Sequence, residues 1–328
     1  MKKVSVALFG LGNVGRAFAQ HLTNNSVNIQ IDAIADWSGG LLLTQHLSLE
    51  RAASHKESSR SLAHLAPDRI IIDHHAFIRA LPDSGIRVLV ECLPTNIATG
   101  EPGLSLITEA LKSGINVVTV DKGPLVHGFE MLQQMGRESG AQLRYSGTTG
   151  ISIPDEISGE RVVEIRGVLN GTTNYVLTKM QQNNRSFQDA LSQAQSEGIA
   201  EPDPSLDIEG WDTAAKILIL AKSLMGADAR LDEVSRIGIG TETESLIRTA
   251  RESGRVVRLV GRARIWQGRV RLSVAPKLLK PDSPFYAVSG TSKAAVFRTR
   301  DNGEVIATAL SGRDAIAKVI VDDIAKIS

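Results

Sequence analysis

The chain opens with a short apolar segment, three closely spaced glycines and a segment of helical periodicity. Val4 to Phe9 is the apolar run, and Gly10, Gly12 and Gly15 follow it. Between Arg16 and Leu22 the apolar residues recur at the spacing of one helix face. This order predicts a buried strand, a glycine turn and a helix, as at the start of a parallel α/β sheet.

Strand-like and helical patterns continue to alternate up to about residue 130, which predicts a parallel sheet flanked by helices. The predicted elements are strands at Ile29–Ala35, Arg69–Ile72, Arg87–Cys92 and Asn116–Val120 and a helix at Glu101–Lys112. We therefore predict the α/β fold class here, with residues 1–130 forming a Rossmann-type, doubly wound dinucleotide-binding domain.

Beyond residue 130 the pattern changes. The predicted elements are a strand at Arg161–Val168, helices at Gly171–Met180, Ser186–Glu197 and Trp211–Met225, and antiparallel strands within Arg255–Val274 and Ala294–Ala309. These patterns predict a second, α+β domain over residues 131–304. The final helical segment, Asp314–Ile327, has one apolar face, so we expect residues 305–328 to return to the first domain.

Composition narrows the class of protein. A length of 328 residues favours two domains, since single cores stop growing at about 250 to 300 residues. A net charge of +1 offers no basic surface for nucleic acid, and no apolar run approaches the ~20 residues that span a bilayer. The single cysteine, Cys92, excludes an internal disulfide and a multi-cysteine metal site. We expect a soluble, cytoplasmic protein without a metal.

The three glycines have the spacing of a dinucleotide site. The pattern Gly10-x-Gly12-x-x-Gly15 lets a pyrophosphate approach the backbone. Asn13 and Val14 lie within this pattern, where the N-terminus of the helix attracts an anion. We expect these residues to bind the phosphates.

Asp36 bears on the choice of cofactor. It ends the second strand-like run, and a carboxylate about 20 residues beyond the glycines accepts hydrogen bonds from an adenosine ribose. The same carboxylate repels a 2′-phosphate, and the neighbouring Trp37 offers that phosphate no positive charge. NAD is therefore favoured over NADP, with Arg51 or Lys56 as the alternative that could receive a 2′-phosphate.

Polar residues follow two of the predicted strands. Leu93, Pro94 and Thr95 follow one strand, and Asp121 and Lys122 follow the next. Ligands of such sheets bind beyond the carboxyl ends of the strands. We therefore expect these residues to face the cofactor near its nicotinamide.

Asp212 and Lys216 stand four residues apart at the start of a predicted helix, behind an acidic loop. This spacing places both side chains on one helix face, with the carboxylate toward the N-terminus. An exposed ion pair of little energetic value is one interpretation. Because the apolar run Ile217–Ala221 follows and no histidine comes after His127, the pair is also a candidate proton-transfer site.

Three motifs precede or include this pair. They are Leu169–Tyr175, Ala200–Pro204 and Asp207–Asp212 followed by Lys216, with further support from Pro94–Pro102 and Val117–Pro124. In order and spacing they resemble homoserine dehydrogenases, and the resemblance covers most of the chain. It implies NAD(P)-linked interconversion of homoserine and L-aspartate 4-semialdehyde. It also implies a homodimer formed through the sheet of a catalytic and dimerisation domain.

The resemblance implies roles for the two lysines. Aldehyde reduction needs a proton at the carbonyl oxygen as hydride reaches the carbon, and an ammonium can supply it. Lys216, oriented by Asp212, is then the proton donor or transition-state stabiliser. Lys122 is the bridge between nicotinamide and substrate, or the acid–base group itself.

The resemblance also implies a substrate-binding set. Glu201 and Asp212 match positions that bind the substrate amino group, which requires carboxylates around it. Gly171, Thr172 and Asp207 are expected to contact the substrate as well. For Thr172 a helix cap is the alternative interpretation.

Several positions depart from the family pattern. Asp121 replaces an asparagine before Lys122, while Ser146 replaces a glutamate and Ile199 a tyrosine; the last two argue against a monovalent-cation site. The segment Leu310–Asp314 replaces a glycine-rich approach to the cofactor and keeps only Gly312. The short C-terminal region leaves no room for a regulatory amino-acid-binding domain, so a short form is expected.

Two alternatives stay open at this point. One is a related NAD-dependent dehydrogenase for another small amino or hydroxy acid. The other is a nucleotide-binding paralogue that has lost turnover and acts as a sensor.

Overall fold

The computed structural model describes residues 3–25, 27–44, 49, 51–52, 61–301, 303–310 and 312–327. The chain divides into two compact units: unit 1 comprises Met1–Thr148 and Gly312–Ser328, and unit 2 comprises Thr149–Ser311. The sequence pattern predicts a division at residue 130, and this residue lies inside the helix Gly123–Ser139. The pattern also predicts that residues 305–309 belong to the first domain, but they form part of a strand that pairs within unit 2.

Unit 1 contains a sheet whose described strands have the order β3-β2-β1-β4-β5-β6. Its strands are β1 (Val4–Phe9), β2 (Ile29–Asp36), β3 (Gly39–Leu42), β4 (Val88–Glu91), β5 (Asn116–Thr119) and β6 (Leu143–Arg144). Its helices are α1 (Asn13–Asn24), α2 (His74–Ala80), α3 (Gly103–Lys112), α4 (Gly123–Ser139) and α5 (Ser146–Thr149), which spans the unit boundary, with a last helix from Arg313 to Ala325. All pairings among these strands are parallel except β2 with β3.

Helices cover both faces of this sheet. Leu8 lies in a core that includes Phe18 of α1 and Ile320 of the C-terminal helix. The next residue, Phe9, points to the opposite face because successive strand side chains alternate. There its ring meets the edge of the Phe77 ring of α2, with ring centroids 6.5 Å apart. The predicted doubly wound architecture is thereby confirmed.

One predicted strand of unit 1 is wrong. Residues 69–72 were expected to form a strand, but Arg69 donates to the Ala66 carbonyl in a turn. Ile71 makes only an isolated bridge with Gly40. The sheet instead gains the antiparallel edge strand β3, where a Cβ on Gly40 would lie 2.3 Å from the Phe77 ring.

Unit 2 contains a sheet with the described order β12-β11-β7-β9-β10-β8. Its strands are β7 (Val162–Val168), β8 (Ser235–Arg236), β9 (Val256–Trp266), β10 (Arg269–Leu279), β11 (Lys293–Thr299) and β12 (Glu304–Ala309). Its helices are α6 (Gly171–Asn183), α7 (Phe187–Ser196), α8 (Ser205–Ile208), α9 (Trp211–Met225) and α10 (Thr243–Glu252), so the C-terminal helix of unit 1 is α11 (Arg313–Ala325). The predicted α+β arrangement is confirmed.

The long helix α9 packs directly on the centre of the unit 2 sheet. It contacts β7, β9 and β10, and Ile217 to Ala221 are all buried. Gly261 of β9 permits this approach, because a Cβ there would lie 3.1 Å from Thr213 Cγ2 and 3.3 Å from Ile217 Cβ. The start of α9, with Asp212 and Lys216, is thus held on a rigid support.

In the described part of the chain, no helix is both long and apolar enough to cross a membrane.

Candidate functional site

At its glycines, the turn after β1 has no side chains that would keep a ligand away from its backbone N–H groups. A Cβ at Gly10 would lie 2.5 Å from the Cys92 carbonyl oxygen, and a Cβ at Gly15 would lie 1.9 Å from the Gly10 carbonyl oxygen. By contrast, no described atom lies within 4 Å of the Cβ position of Gly12. Gly12 begins α1 without a side-chain cap. The turn is therefore tight at its ends and open in the middle, which fits a pyrophosphate on the helix N-terminus.

Three other residues expected at the cofactor also lie at helix starts of unit 1. Asn13 and Val14 form the first turn of α1, and the Asn13 side chain accepts a hydrogen bond of 3.3 Å from Arg16. Gly312 precedes α11 with a φ of 142°, a conformation that favours glycine. Because α11 packs against α1, the structure brings Gly312 into the unit that carries the glycine turn.

Asp36 lies at the end of β2 and is almost fully buried. Its Oδ1 atom accepts hydrogen bonds from the Ser38 backbone N–H and hydroxyl, at 2.8 and 2.6 Å. Trp37 beside it is 71% exposed. His74 Nε2 lies 2.8 Å from the Asp36 carbonyl oxygen, which gives this histidine a structural role. Of the two alternative partners for a 2′-phosphate, Arg51 is exposed and Lys56 lies outside the described residues.

The residues after β4 and β5 meet at the carboxyl end of the sheet. Leu93 and Thr95 are half-buried and Pro94 between them is exposed. The Lys122 backbone N–H donates to the Thr95 hydroxyl at 3.4 Å, and Lys122 precedes the first residue of α4. The structure thus brings together the residues that were expected near the nicotinamide, all within unit 1.

A buried acidic cluster under these residues was not predicted. Glu91 ends β4 with no exposure; it accepts hydrogen bonds from the Thr119 hydroxyl at 2.5 Å and the Leu93 N–H at 2.6 Å. Asp121, also buried, accepts from the Gly123 N–H at 2.9 Å. An acidic residue ending the otherwise apolar run of β4 was the signal that could have revealed the cluster.

Burial changes the ionisation of both acids. It raises the pKa of Glu91 to about 8, assisted by repulsion from Asp121. Burial also raises the pKa of Asp121, against the lowering effect of hydrogen bonds from Gly123 and Thr95 and of the nearby Lys122 charge. The cluster therefore retains a proton at neutral pH, directly behind the strand end that carries Lys122.

In unit 2, Lys216 and Asp212 form a nearly buried ion pair. The Lys216 Nζ atom donates to Asp212 Oδ2 at 2.6 Å and to the Leu169 carbonyl oxygen at 2.9 Å. The exposed fractions of the two side chains are 12% for Lys216 and 13% for Asp212. The interpretation as an ordinary exposed ion pair is excluded by this burial.

Asn170 connects this pair to a second carboxylate and was missed as a site residue. Its Nδ2 atom donates to Asp207 Oδ1 at 2.6 Å and to Asp212 Oδ2 at 2.8 Å. Its Oδ1 atom accepts from the Thr173 N–H at 2.8 Å, so the same side chain caps α6. The Asn-Gly-Thr-Thr segment contained this residue, and its preference for the N-cap position was the available signal.

Burial and the charge of Asp212 raise the pKa of Asp207. The hydrogen bond from Asn170 and the charge of Lys216 act in the opposite direction. Asp207 therefore holds its negative charge less readily than an exposed aspartate, and a cation close to it would be favoured.

The remaining predicted substrate residues are placed differently. Gly171 begins α6, and the Thr172 hydroxyl next to it donates to the Ile199 carbonyl at 3.2 Å. Glu201 is exposed on the loop before α8. Among the described residues its carboxylate has no hydrogen bond to the Asn170 cluster, so the structure does not join it to Asp207 and Asp212.

The unit 2 cluster combines one ammonium, two carboxylates and an amide in a small, largely desolvated space. Such a set can bind a substrate ammonium and move a proton without a metal. In the ranges that the structure describes, no group of three or more His, Cys, Asp or Glu side chains is arranged to hold a metal ion.

Family models match both units. The model described as "Homoserine dehydrogenase, NAD binding domain" matches residues 10–146. The model described as "Homoserine dehydrogenase" matches residues 152–325. The two matches meet near the division between the units.

Individual relatives agree with these matches. The NAD(+)-dependent homoserine dehydrogenase of Pseudomonas canavaninivorans is 32% identical over 100% of this chain and 97% of its own length. A crystal structure of a putative homoserine dehydrogenase from Archaeoglobus fulgidus has a TM-score of 0.84 at 27% identity, covering 99% of both chains. A hyperthermophilic archaeal homoserine dehydrogenase in complex with NADPH has a TM-score of 0.76 at 28% identity, again over 99% of both chains.

The fold of unit 1, the polar cluster of unit 2 and the matches over both thus lead to one conclusion: the chain belongs to the homoserine dehydrogenase family of NAD(P)-dependent oxidoreductases.

Proposed function

We propose that this protein interconverts homoserine and L-aspartate 4-semialdehyde, with Lys216 as the group that serves the substrate oxygen. The observation that carries the proposal is the position of the Lys216 ammonium, held by Asp212 and the Leu169 carbonyl. The bound nicotinamide dinucleotide supplies the hydride for reduction and accepts it in oxidation. The groups of the chain itself bind the substrate, orient it and move the proton.

The hydrogen bonds of Lys216 leave one of its protons for the substrate. An ammonium has three N–H donors, and those to Asp212 and Leu169 use two of them. The third N–H can donate to the carbonyl oxygen of the semialdehyde as negative charge develops there. In the reverse direction, the neutral amine would accept the hydroxyl proton of homoserine.

The carboxylates around Lys216 are suited to bind the α-ammonium group of the substrate. Homoserine and its semialdehyde both carry an α-ammonium, and charge-assisted hydrogen bonds to carboxylates are its strongest contacts. Asp207 and Asp212 are already side by side on the Asn170 amide. We propose that they bind the ammonium together with Glu201, and that Gly171 and Thr172 contact the substrate from the start of α6.

We propose that Lys122 and the turn of unit 1 complete the reaction machinery. Gly10, Gly12 and Gly15, with Asn13 and Val14, would hold the pyrophosphate, and the residues after β4 and β5 would hold the nicotinamide. Lys122 is then the group that links nicotinamide and substrate, or shares the acid–base role. Support comes from its place at the N-terminus of α4, directly beside the Thr95 loop.

For the cofactor we propose a preference for NAD over NADP. The buried Asp36 carboxylate at the end of β2 supports this choice, because its charge disfavours a 2′-phosphate. The family provides examples of both cofactors: the relative from Pseudomonas canavaninivorans is NAD(+)-dependent, and the hyperthermophilic archaeal structure is a complex with NADPH.

We further propose that two copies associate through the unit 2 sheet. Ile306 on β12 is 53% exposed and Trp266 at the end of β9 is 50% exposed, so each leaves apolar area for a second copy to cover. Sedimentation of the wild type and of Ile306→Lys tests this assembly. A monomeric wild type would contradict it.

The decisive experiment on function follows reduced nicotinamide formation from homoserine with NAD and, separately, with NADP, each below saturation. We expect turnover with homoserine and a higher kcat/KM for NAD. Serine and a 2-hydroxy acid without an amino group serve as comparison substrates. Faster turnover of a comparison substrate would indicate a related dehydrogenase, and binding of NADH without any turnover would indicate a sensor.

A further inference from the structure

We propose that Asn170 is a positioning residue of the substrate site, which holds Asp207 and Asp212 side by side without placing a charge between them. This inference rests on the proposed function, because it concerns the site for the substrate ammonium. It adds to that site a residue that touches neither the hydride nor the substrate oxygen.

The orientation of the Asn170 amide is fixed by the helix that it caps. Its Oδ1 atom accepts from the Thr173 N–H, the third residue of α6. Only the Nδ2 atom can therefore face the acidic side of the site, and this nitrogen carries two protons. Each proton goes to a different carboxylate, at 2.6 Å to Asp207 and 2.8 Å to Asp212. Capping and bridging are thus performed by opposite ends of one rigid group.

A neutral amide donor suits the position between the two carboxylates better than a charged donor such as a lysine ammonium. Asp207 and Asp212 repel each other, and this repulsion adds to burial, the larger cause, in raising the pKa of Asp207. A lysine between them would relieve the repulsion but would also cancel the charge that a substrate ammonium needs. The neutral amide reduces the repulsion by hydrogen bonding alone. With Lys216 the cluster keeps one net negative charge, which one substrate ammonium neutralises.

The surroundings of the amide show which charges act on it. Asp207 approaches from α8, and Asp212 and Lys216 approach from α9. From α6 itself, the Thr172 hydroxyl lies near Asp207, although its proton is donated to the Ile199 carbonyl. Asn170 is 5% exposed, so little water can compete for its two donated hydrogen bonds.

Two substitutions separate bridging from capping. Asn170→Ser keeps a good N-cap residue but is too short to reach both carboxylates. Asn170→Asp keeps the shape and the cap, and its remaining oxygen can donate one hydrogen bond only while protonated. Ser186→Ala is the control for losing a cap in the same unit, because Ser186 caps α7 by accepting from the Asp189 N–H at 3.1 Å.

The test measures kcat and KM for homoserine between about pH 5.5 and about pH 9 in all three variants and the wild type. NADH binding is the independent readout. We expect Asn170→Ser to raise the KM for homoserine by about 10-fold or more, since hydrogen bonds to charged groups are the strong ones. Its NADH Kd should stay within about twofold of the wild-type value. Ser186→Ala should keep both constants.

The aspartate variant gives a signature that a purely structural role would not produce. Its kcat/KM relative to wild type should fall as the pH rises, because ionisation of the new carboxyl converts a donor into a third repelling charge. A KM for Asn170→Ser within twofold of wild type, or a loss in Asn170→Asp that is independent of pH, would overturn the positioning role. A wild-type protein that binds NADH but does not oxidise homoserine would overturn the proposed function itself, and the role of Asn170 with it.

Discussion

The Lys216 ammonium lies 2.6 Å from Asp212 Oδ2 in a place where neither side chain is more than 13% exposed. An ion pair at the surface can lose one member at small cost, since water replaces the lost partner. In this pair the partner would be left with little water. A substitution at either residue should therefore change both the reaction rate and the free energy of unfolding, and the two have to be measured separately.

Lys216→Ala is expected to lower kcat for homoserine oxidation by about 100-fold or more, which is the scale of lost acid–base assistance. The NADH Kd should stay near the wild-type value because the glycine turn belongs to unit 1. Rates are compared per NADH-binding molecule, so that loss of folded protein is not counted as loss of catalysis. Lys222→Ala, on the same helix, should retain wild-type kcat. Equal turnover in Lys216→Ala and wild type would exclude the proposed role.

Asp36→Ser should reverse or abolish the preference for NAD. We expect the NADH Kd to rise by about 10-fold or more, since a hydrogen bond to a charged group is lost, while the NADPH Kd falls. Fluorescence titrations with the two reduced cofactors measure both values. Asp32→Asn, on the same strand, removes one charge elsewhere and should leave the ratio unchanged. A wild type that prefers NADPH would contradict the role given to Asp36.

Alanine at Gly15 should lower the stability of unit 1, whereas alanine at Gly12 should weaken cofactor binding. Gly15→Ala places a Cβ 1.9 Å from the Gly10 carbonyl oxygen, so we expect unit 1 to lose about 1–3 kcal/mol or more of stability. Gly12→Ala meets no described atom within 4 Å and should retain the wild-type melting temperature. It should instead weaken NADH binding by crowding the phosphate approach. If Gly12→Ala both weakened NADH binding and lowered the melting temperature, the glycine turn would not have free space at Gly12.

Glu91 should make the stability of unit 1 depend on pH. Its pKa is about 8 in the folded protein and near 4.5 when unfolded, so its contribution is fully present below pH 4.5 and is lost as the pH rises through 8. The slope can reach about 1.4 kcal/mol per pH unit. Glu91→Gln removes this term, and its stability relative to wild type should therefore increase with pH.

Denaturant unfolding at several pH values measures the Glu91 effect. Glu138→Gln, an exposed position on α4, serves as the matched control and should show the wild-type pH dependence. A constant difference between Glu91→Gln and wild type across the range would show that Glu91 is ionised in the folded state.

The features that the sequence could predict are local ones. Asp212 and Lys216 are four residues apart, so helix geometry alone places them on one face. The glycine turn is equally local, since its residues and the helix that follows lie within a single short segment. For such local features, the periodicity and the residue types are sufficient to predict where the side chains lie.

The features that were missed depend on contacts between distant segments. Asn170 reaches Asp207 across 37 residues of chain, and Thr119 reaches Glu91 across 28. Neither contact can be predicted from the sequence pattern, because the pattern does not show which ends of strands and helices lie next to each other. The edge strand β3 was missed for a related reason: its two glycines are typical of a turn, but Gly40 leaves the space that the Phe77 ring occupies, and Gly39 lies against Ile70 and Ile71.

The return of α11 to unit 1 has a consequence for the synthesis of the chain on the ribosome. Phe18 of α1 shares its core with Ala317, Ile320 and Ile324 of α11, residues that are translated only after the whole of unit 2. A nascent chain that ends before residue 312 therefore exposes this apolar surface. The nucleotide-binding unit is begun first and completed last, so the core between α1 and α11 cannot close until translation has passed through the other unit.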